Sequence, residues 1–318
     1  MYFAHMSPEE TYKTTLSNPL SWPPEHPWPA APDDALWSHP GSNIALDFHG
    51  DPAHAGITVL SDGNHHMALE ETLRDFARLH PQTGGVFYLT LPPRVLQMII
   101  RRGAVRLGNL RLPVTPHVLI SPPDVFVSLA KSGHAMRHAP FMRSRGNVLL
   151  VRSTNPRAVR GVESIIRGDT TLFISNPHTE AASHAVYRDT LLGLCAARNL
   201  DTGSLAAGLL EGGSRFLHSQ AIHHREAPQA LAAGCADAAI LYYHLALRYT
   251  RIFPGLFEMV SLDGISVPPA PASWNVISHF HAGLAETGGS WGTALLEFLA
   301  SARVHEIYRG HGLLPADE

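Results

Sequence analysis

Residues 58–76 read TVLSDGNHHMALEETLRDF. An apolar run over 57–60 enters Ser61-Asp62-Gly63-Asn64-His65-His66, after which Met67, Leu69, Leu73 and Phe76 recur at helical spacing. The pattern predicts a strand over 57–60, a polar loop, and a helix over 67–79. A loop of this kind sets the free backbone N–H groups of a helix start beside hydroxyl, amide and imidazole groups, which suits an oxyanion or a small polar ligand.

Outward from that stretch, strand and helix patterns alternate. A strand over 85–90 meets Pro92-Pro93, which opens a helix through 100. Residues 103–113 have the punctuation of a hairpin, 117–121 read as a strand, and Pro122-Pro123 opens a helix that ends near Gly133. The run NVLLVR over 147–152 reads as a buried strand, followed by a helix over 157–166 and a strand over 171–175. Asn176-Pro177-His178-Thr179-Glu180 then precedes a helix over 181–197, with Asn176 or Thr179 as N-cap and Glu180 in the first turn. A helix over 225–233, strands over 238–243 and 257–261, and helices over 290–302 and 304–310 complete the chain. This order predicts an α/β protein with mostly parallel sheets, helices on both faces and ligands at the carboxyl ends of strands.

Residues 1–40 carry seven prolines among Pro19–Pro40 and the tryptophans Trp22, Trp28 and Trp37 without any periodicity. They read as an irregular arm that packs on the body or on a second subunit of a homodimer. Residues 43–48, NIALDF, read as a short strand.

Composition bounds the function. A chain of 318 residues, 45% hydrophobic and 16% charged, with a formal net charge of -3, describes a globular protein with no field to recruit nucleic acid or an anionic membrane. Cys195 and Cys235 stand alone, so there is no CxxC metal or redox motif, and both read as buried thiols. No window offers a membrane-spanning apolar run. The opening MYFAHMSPEETYK lacks the basic start and apolar core of a secretory signal. The sequence as it stands is therefore expected in the cytoplasm, or in the periplasm if a leader was removed near His5-Met6. Histidine is over-represented at 21 residues, several of them adjacent, which reads for most as compositional drift.

Four passages together resemble the molybdate-binding family of periplasmic-type solute-binding proteins, with the two-lobed type II flytrap fold. They are TVLSDGNHHMALEETLRDF; HVLIS at 117–121; RGNVLLVRSTNPRAVRGVESI with TTLFISNPHTEAASHAVYRDTL; and APQALAAGCADAAILYYHLAL, which contains the family's G-x-A-D turn. The resemblance implies lobe one over 41–147 and 264–318, lobe two over 148–263, and a hinge near Asn147 and Ser261. It implies reversible closure on a small polar ligand, a tetrahedral oxyanion of the molybdate, tungstate or sulfate class, with no cofactor. An ABC transporter permease is the implied partner if the chain is exported.

On that reading lobe one contributes Ser61, Asp62, Asn64, His65, His66 and Ser121. Lobe two contributes Asn176, Thr179, Glu180 and either Tyr242 or Tyr243, because neighbours on a strand point to opposite faces. Each has a plainer reading: Ser61 to Asn64 as a turn with a helix cap, Ser121 as a cap of the Pro-Pro helix, the tyrosines as core. Asp62 departs from the small residues typical of such loops, and would repel an oxyanion unless a histidine is protonated or its carboxylate faces away. His223-His224-Arg225 could supply positive charge or form a solvated loop. Arg143 and Arg145 flank the strand over 147–152 in a structural or rim position.

Two other classes are open. His65 or His66, His178, Glu180 and His224 could gather round zinc, nickel or iron, although the HExxH order is absent. Asp62, His65, His66 and Glu180 could serve acid–base chemistry in an enzyme on the same fold, although no nucleophile elbow, phosphate loop or dinucleotide fingerprint is present.

Overall fold

The structure is a computed structural model that describes residues 47–107, 110–220 and 222–318. The proline-rich arm, its tryptophans and most of the strand expected over 43–48 lie outside the described residues. So does any dimer contact the arm would make.

From residue 47 the elements run β1 (Asp47–His49), β2 (Ile57–Asp62), α1 (His66–Leu79), β3 (Val86–Leu91), α2 (Pro93–Arg102), β4 (Ala104–Leu107), β5 (Leu110–Pro113), β6 (Val118–Ser121), α3 (Pro123–Lys131) and β7 (Arg137–Arg143). Then come β8 (Asn147–Arg152), α4 (Val162–Arg167), β9 (Leu172–Ile174), α5 (Ala181–Ala197), α6 (Gly203–Glu211), β10 (Phe216–His218), α7 (His223–Ala232), β11 (Ala238–Tyr242), α8 (Tyr243–Ile252) and β12 (Phe257–Val260). The chain ends with β13 (His279–Leu284), α9 (Gly289–Leu299), α10 (Ala302–Gly310) and β14 (Leu314–Pro315).

The described residues divide into two compact units, 145–277 in one and 47–144 with 278–318 in the other. The chain passes from one to the other at 144/145 and 277/278. Asn147 and Ser261, expected beside a hinge, both lie inside the first of these units, and residues 264–277 belong to it as well. The reason is local: Asn275 bonds the Asn147 backbone N–H through its Oδ1 at 2.8 Å, and Thr190 Oγ1 takes the Val276 N–H at 3.0 Å.

The unit of residues 47–144 and 278–318 carries a seven-stranded sheet in the order β1-β3-β2-β6-β13-β7-β14, with β3, β2 and β6 parallel and the rest antiparallel. The two-residue period of β2 fills both faces. Ile57 and Val59 join a core with α1, α9 and α10, whereas Leu60 joins a second core with α2 and α3. Residues 104–113 form the expected hairpin, β4 against β5. Proline opens α2 and α3, as Pro92-Pro93 and Pro122-Pro123 predict, since the missing N–H at a first helical turn costs nothing.

The five-stranded unit has the order β10-β9-β11-β8-β12, with β10, β9 and β11 parallel and β8 and β12 antiparallel. NVLLVR is continuous because both its faces are covered, and every residue from Asn147 to Val151 is buried. Val148 and Leu150 meet α7 and α8 in one core with Phe173, Ala227, Leu231 and Tyr249.

Several expectations need correction. The sheets are mixed rather than mostly parallel, because β1, β7, β8, β12, β13 and β14 all pair antiparallel with their neighbours. The helix expected over 157–166 is only α4, because residues 153–160 turn instead. Asn155 (φ 38°) and Ala158 (φ 48°) adopt left-handed backbone, and the Asn155 side chain both accepts from and donates to Val159 at 2.8 and 2.9 Å. Strands β7 and β13 were not anticipated. One begins with the exposed Arg137-His138-Ala139-Pro140 and the other is HFHAGL, so neither shows a clean apolar alternation. In β13, Gly283 leaves room for the Phe126 ring, which a Cβ there would meet at 2.4 Å. Helices α6 and α8 and strand β10 likewise follow from packing rather than from pattern.

Candidate functional site

The carboxyl ends of the parallel strands carry the polar residues in each unit. In the sheet of β3, β2 and β6, strand β2 is central, its partners follow from crossovers in opposite directions, and Ser61 pairs with Thr90 on one side and Ile120 on the other. A switch of this kind opens a ligand position beyond the strand ends.

Strand β2 runs two residues further than the apolar run implies. Ser61 and Asp62 are thus strand residues, and they leave the sheet on opposite faces. Ser61 is fully buried on the α1 and α10 face, where its Oγ lies 3.1 Å from His65 Nε2. His65 is fully buried too, with Nδ1 2.9 Å from Tyr308 Oη and its ring centroid 4.9 Å from that of Phe280. The pair therefore ties the strand end to α10 rather than presenting both groups at the edge. His66 is half-buried, and its Nδ1 donates to the Gly63 carbonyl at 2.9 Å.

Asp62 points to the other face, where its Oδ1 accepts the Asn64 N–H at 2.9 Å and caps the 3-10 turn Gly63–His65. Burial pushes its carboxyl up to about 6, against the Asn64 hydrogen bond and with help from the Asp124 carboxylate. Ser121 ends β6 on that same face, because Leu119 shares the core of Leu60. Its hydroxyl is fully buried and has no hydrogen-bond partner among the described residues. Buried polar groups are normally paired, so this hydroxyl stands out among the strand-end residues.

In the five-stranded unit, Ser175 and Asn176 follow β9, Ser219 follows β10, and Tyr242 and Tyr243 stand at the end of β11. Asn176 is not a helix N-cap. Its Oδ1 accepts the N–H groups of His178 and Thr179 at 2.9 and 3.3 Å, its N–H donates to Ser219 Oγ at 2.9 Å, and the residue preceding α5 is Glu180. Thr179 and His178 lie in the exposed part of that turn.

Glu180 reaches across to the start of α7. The Ser219 hydroxyl donates to its carboxylate, and the His223 N–H lies 3.0 and 3.2 Å from its two oxygens. A carboxylate of the protein thus occupies a helix N-terminus where an external anion could sit. Burial raises its pKa to about 7, opposed by those hydrogen bonds and reinforced by Glu226.

Behind Glu180 are two buried imidazoles. His184 Nδ1 donates to the Ser175 carbonyl at 2.8 Å, which leaves Nε2 as a lone pair, and that atom has no partner. His223 stacks on Phe173 at 5.3 Å and bonds the Phe173 backbone, and its Nε2 is likewise unpartnered. Burial lowers the His223 pKa to about 3, so this residue brings no positive charge to the site. It opens α7 and is not part of a solvated loop.

Tyr242 and Tyr243 do not alternate on one strand. Tyr242 ends β11 with its ring 5.2 Å from that of Tyr187, while Tyr243 is the first residue of α8 and donates its N–H to the Gly146 carbonyl at 2.9 Å. Above the Tyr243 ring, 5.7 Å from its centroid, stands the guanidinium of Arg145. Arg145 is half-buried and makes no hydrogen bond or ion pair among the described residues. Because Tyr242 pairs with Asn147, this arginine sits at the carboxyl edge of β11.

Among the described residues no group of three or more His, Cys, Asp or Glu side chains is placed to hold a metal ion. None of their helices is long and apolar enough to cross a membrane. Sequence reasoning missed Ser219, Asp124, His184 and Tyr308, and gave Arg145 a structural or rim position.

A search of curated proteins finds no match. Among solved structures, the sulfate-binding protein of Mycobacterium tuberculosis H37Rv matches with a TM-score of 0.59 at 18% identity, covering 83% of this chain and 88% of that one. The periplasmic molybdate-binding protein of Azotobacter vinelandii matches at 0.53 and 15%, covering 81% and 98%. A tungstate-binding protein of Desulfovibrio alaskensis G20 matches at 0.54 and 10%, covering 81% and 98%. At these identities the likeness is one of fold, and it bears out the type II flytrap resemblance. The model of the bacterial extracellular solute-binding proteins matches residues 57–314, nearly all of the described chain, and the protein belongs to that family.

Proposed function

We propose that the protein binds a small tetrahedral oxyanion outside the cytoplasmic membrane and delivers it to an ABC transporter. The observation that carries this reading is Arg145, a half-buried guanidinium held over Tyr243 with no hydrogen bond or ion pair among the described residues. Arginine presents a planar fork of donors suited to oxyanions. The fold's other members with oxyanions in their names, the sulfate-, molybdate- and tungstate-binding proteins, support the same class.

Binding of this kind is reversible and uses no covalent step. A ligand present at about 100 times its Kd stabilises the folded state by about 2.7 kcal/mol, which a thermal-shift assay reads directly. A panel of molybdate, tungstate, sulfate and phosphate should contain at least one anion that raises Tm by several degrees. Arg145→Met keeps the apolar contact with Tyr243 and should remove that rise. No shift with any tetrahedral oxyanion would overturn the reading.

A further inference from the structure

The strand ends of the five-stranded unit are short of donors and rich in acceptors. Glu180 takes the helix N-terminal N–H of His223 and the hydroxyl of Ser219, so neither is free for a ligand. Asn176 spends its side-chain amide on the Ser219 carbonyl at 3.2 Å. The polar atoms left over in this region are bare lone pairs, His184 Nε2 and His223 Nε2, together with the Ser175 hydroxyl. All three side chains are more than nine-tenths buried, with exposures of 3%, 1% and 0%.

The tautomers follow from the backbone. Each imidazole gives its Nδ1–H to a carbonyl of the β9 segment, of Ser175 for His184 and of Phe173 for His223. Neither Nε2 can then donate without taking up a second proton, which burial opposes in both rings. The Tyr187 ring, 5.1 Å from His223 and 5.2 Å from Tyr242, connects this group to the edge where Arg145 stands.

A fully deprotonated oxyanion such as sulfate or molybdate offers acceptors only. Against one guanidinium it would face two imidazole lone pairs and Glu180, which is ionised and acceptor-only above about pH 7. An oxyanion that still carries a proton offers one O–H donor as well as acceptors, and matches both sides of this inventory. Resting on the oxyanion reading above, we infer that the solute is a hydrogen oxyanion of the phosphate or alkylphosphonate kind, and that Glu180, His184 and His223 select it over fully deprotonated tetrahedral anions. Leaving a buried acceptor opposite an anion that cannot donate is the type of mismatch that gives strong discrimination.

Calorimetric titration of the whole protein at pH 8, where Glu180 is ionised, with phosphate, methylphosphonate, sulfate and molybdate tests this. Phosphate and methylphosphonate should bind at least about tenfold more tightly than sulfate and molybdate, a difference of about 1.4 kcal/mol. Glu180→Gln puts a donor amide where the carboxylate stood and should narrow that ratio to below about threefold, by weakening the first pair and strengthening the second. Sulfate or molybdate binding as tightly as phosphate in the unaltered protein would overturn the selectivity while leaving the oxyanion reading in place. A folded Glu180→Gln protein with an unchanged ratio would overturn the role of Glu180. Absence of binding by all four anions would overturn both readings together.

Discussion

His65 Nδ1 lies 2.9 Å from Tyr308 Oη, joining residues 243 positions apart in the sequence. The same imidazole meets Ser61 Oγ through its other nitrogen, so a three-membered polar chain runs from the end of β2 to α10 inside an otherwise apolar core. Because both rings are buried, removing one member takes a hydrogen bond from a buried polar atom of the next. Tyr308→Phe should destabilise the protein by about 1–3 kcal/mol, seen as a lower urea midpoint with unchanged slope. An unaltered midpoint would mean that His65 is satisfied elsewhere.

Ser121 should behave in the opposite way. Its hydroxyl is buried without a partner, so Ser121→Ala removes an uncompensated polar group and should leave the unliganded protein as stable or up to about 1 kcal/mol more stable. If the hydroxyl serves a solute, the same variant should lose part of the ligand-induced rise in Tm. A clear loss of unliganded stability would show that the hydroxyl has a structural partner.

The titration of Glu180 has a definite sign. Its folded pKa, about 7, lies above the ordinary 4.5, so its contribution is fully present below about pH 4.5 and is lost as pH rises through about 7. His223 works in reverse: its pKa falls from 6.5 to about 3, so its contribution is present above pH 6.5 and lost as pH falls toward 3. Glu180→Gln should therefore gain Tm relative to the unaltered protein as pH is raised from 5 to 8. Parallel curves for the two proteins would contradict the buried setting of this carboxylate.

Gly283 is required by volume. A Cβ there would meet Phe126 Cε1 at 2.4 Å and His138 Cβ at 3.1 Å, where the Phe126 and His138 rings stack at 4.3 Å. Gly283→Ala should cost about 1–3 kcal/mol by thermal or urea unfolding, with the loss partly recovered in the double variant that also carries Phe126→Leu.

Much of the fold was legible because its central strands are buried on both faces and its helices begin at prolines or small polar residues. NVLLVR, the Pro92-Pro93 and Pro122-Pro123 starts, and the helix over 181–197 all depend on such local chemistry. Strands β7 and β13 were illegible because their polar residues are tolerated by position in the sheet, which no window of sequence contains. The candidate site was legible as loops but not as bonds. Glu180 was recognised as a residue of the β9 loop, yet its attachment to Ser219 and His223, 39 and 43 positions away, is a product of the β10-β9 pairing. Arg145 gained meaning only once Tyr243 was placed beneath it.

Strand β13 lies between β6 and β7, both of which precede it by well over a hundred residues. A ribosome delivering this chain from its N-terminus therefore releases the whole five-stranded unit before it supplies the strand that joins the two parts of the seven-stranded sheet. The earlier-made half must wait with β6 and β7 carrying open hydrogen-bonding edges, the type of surface on which unfinished chains stick to one another. Truncation before residue 279 should for that reason yield an aggregating product rather than a smaller soluble one.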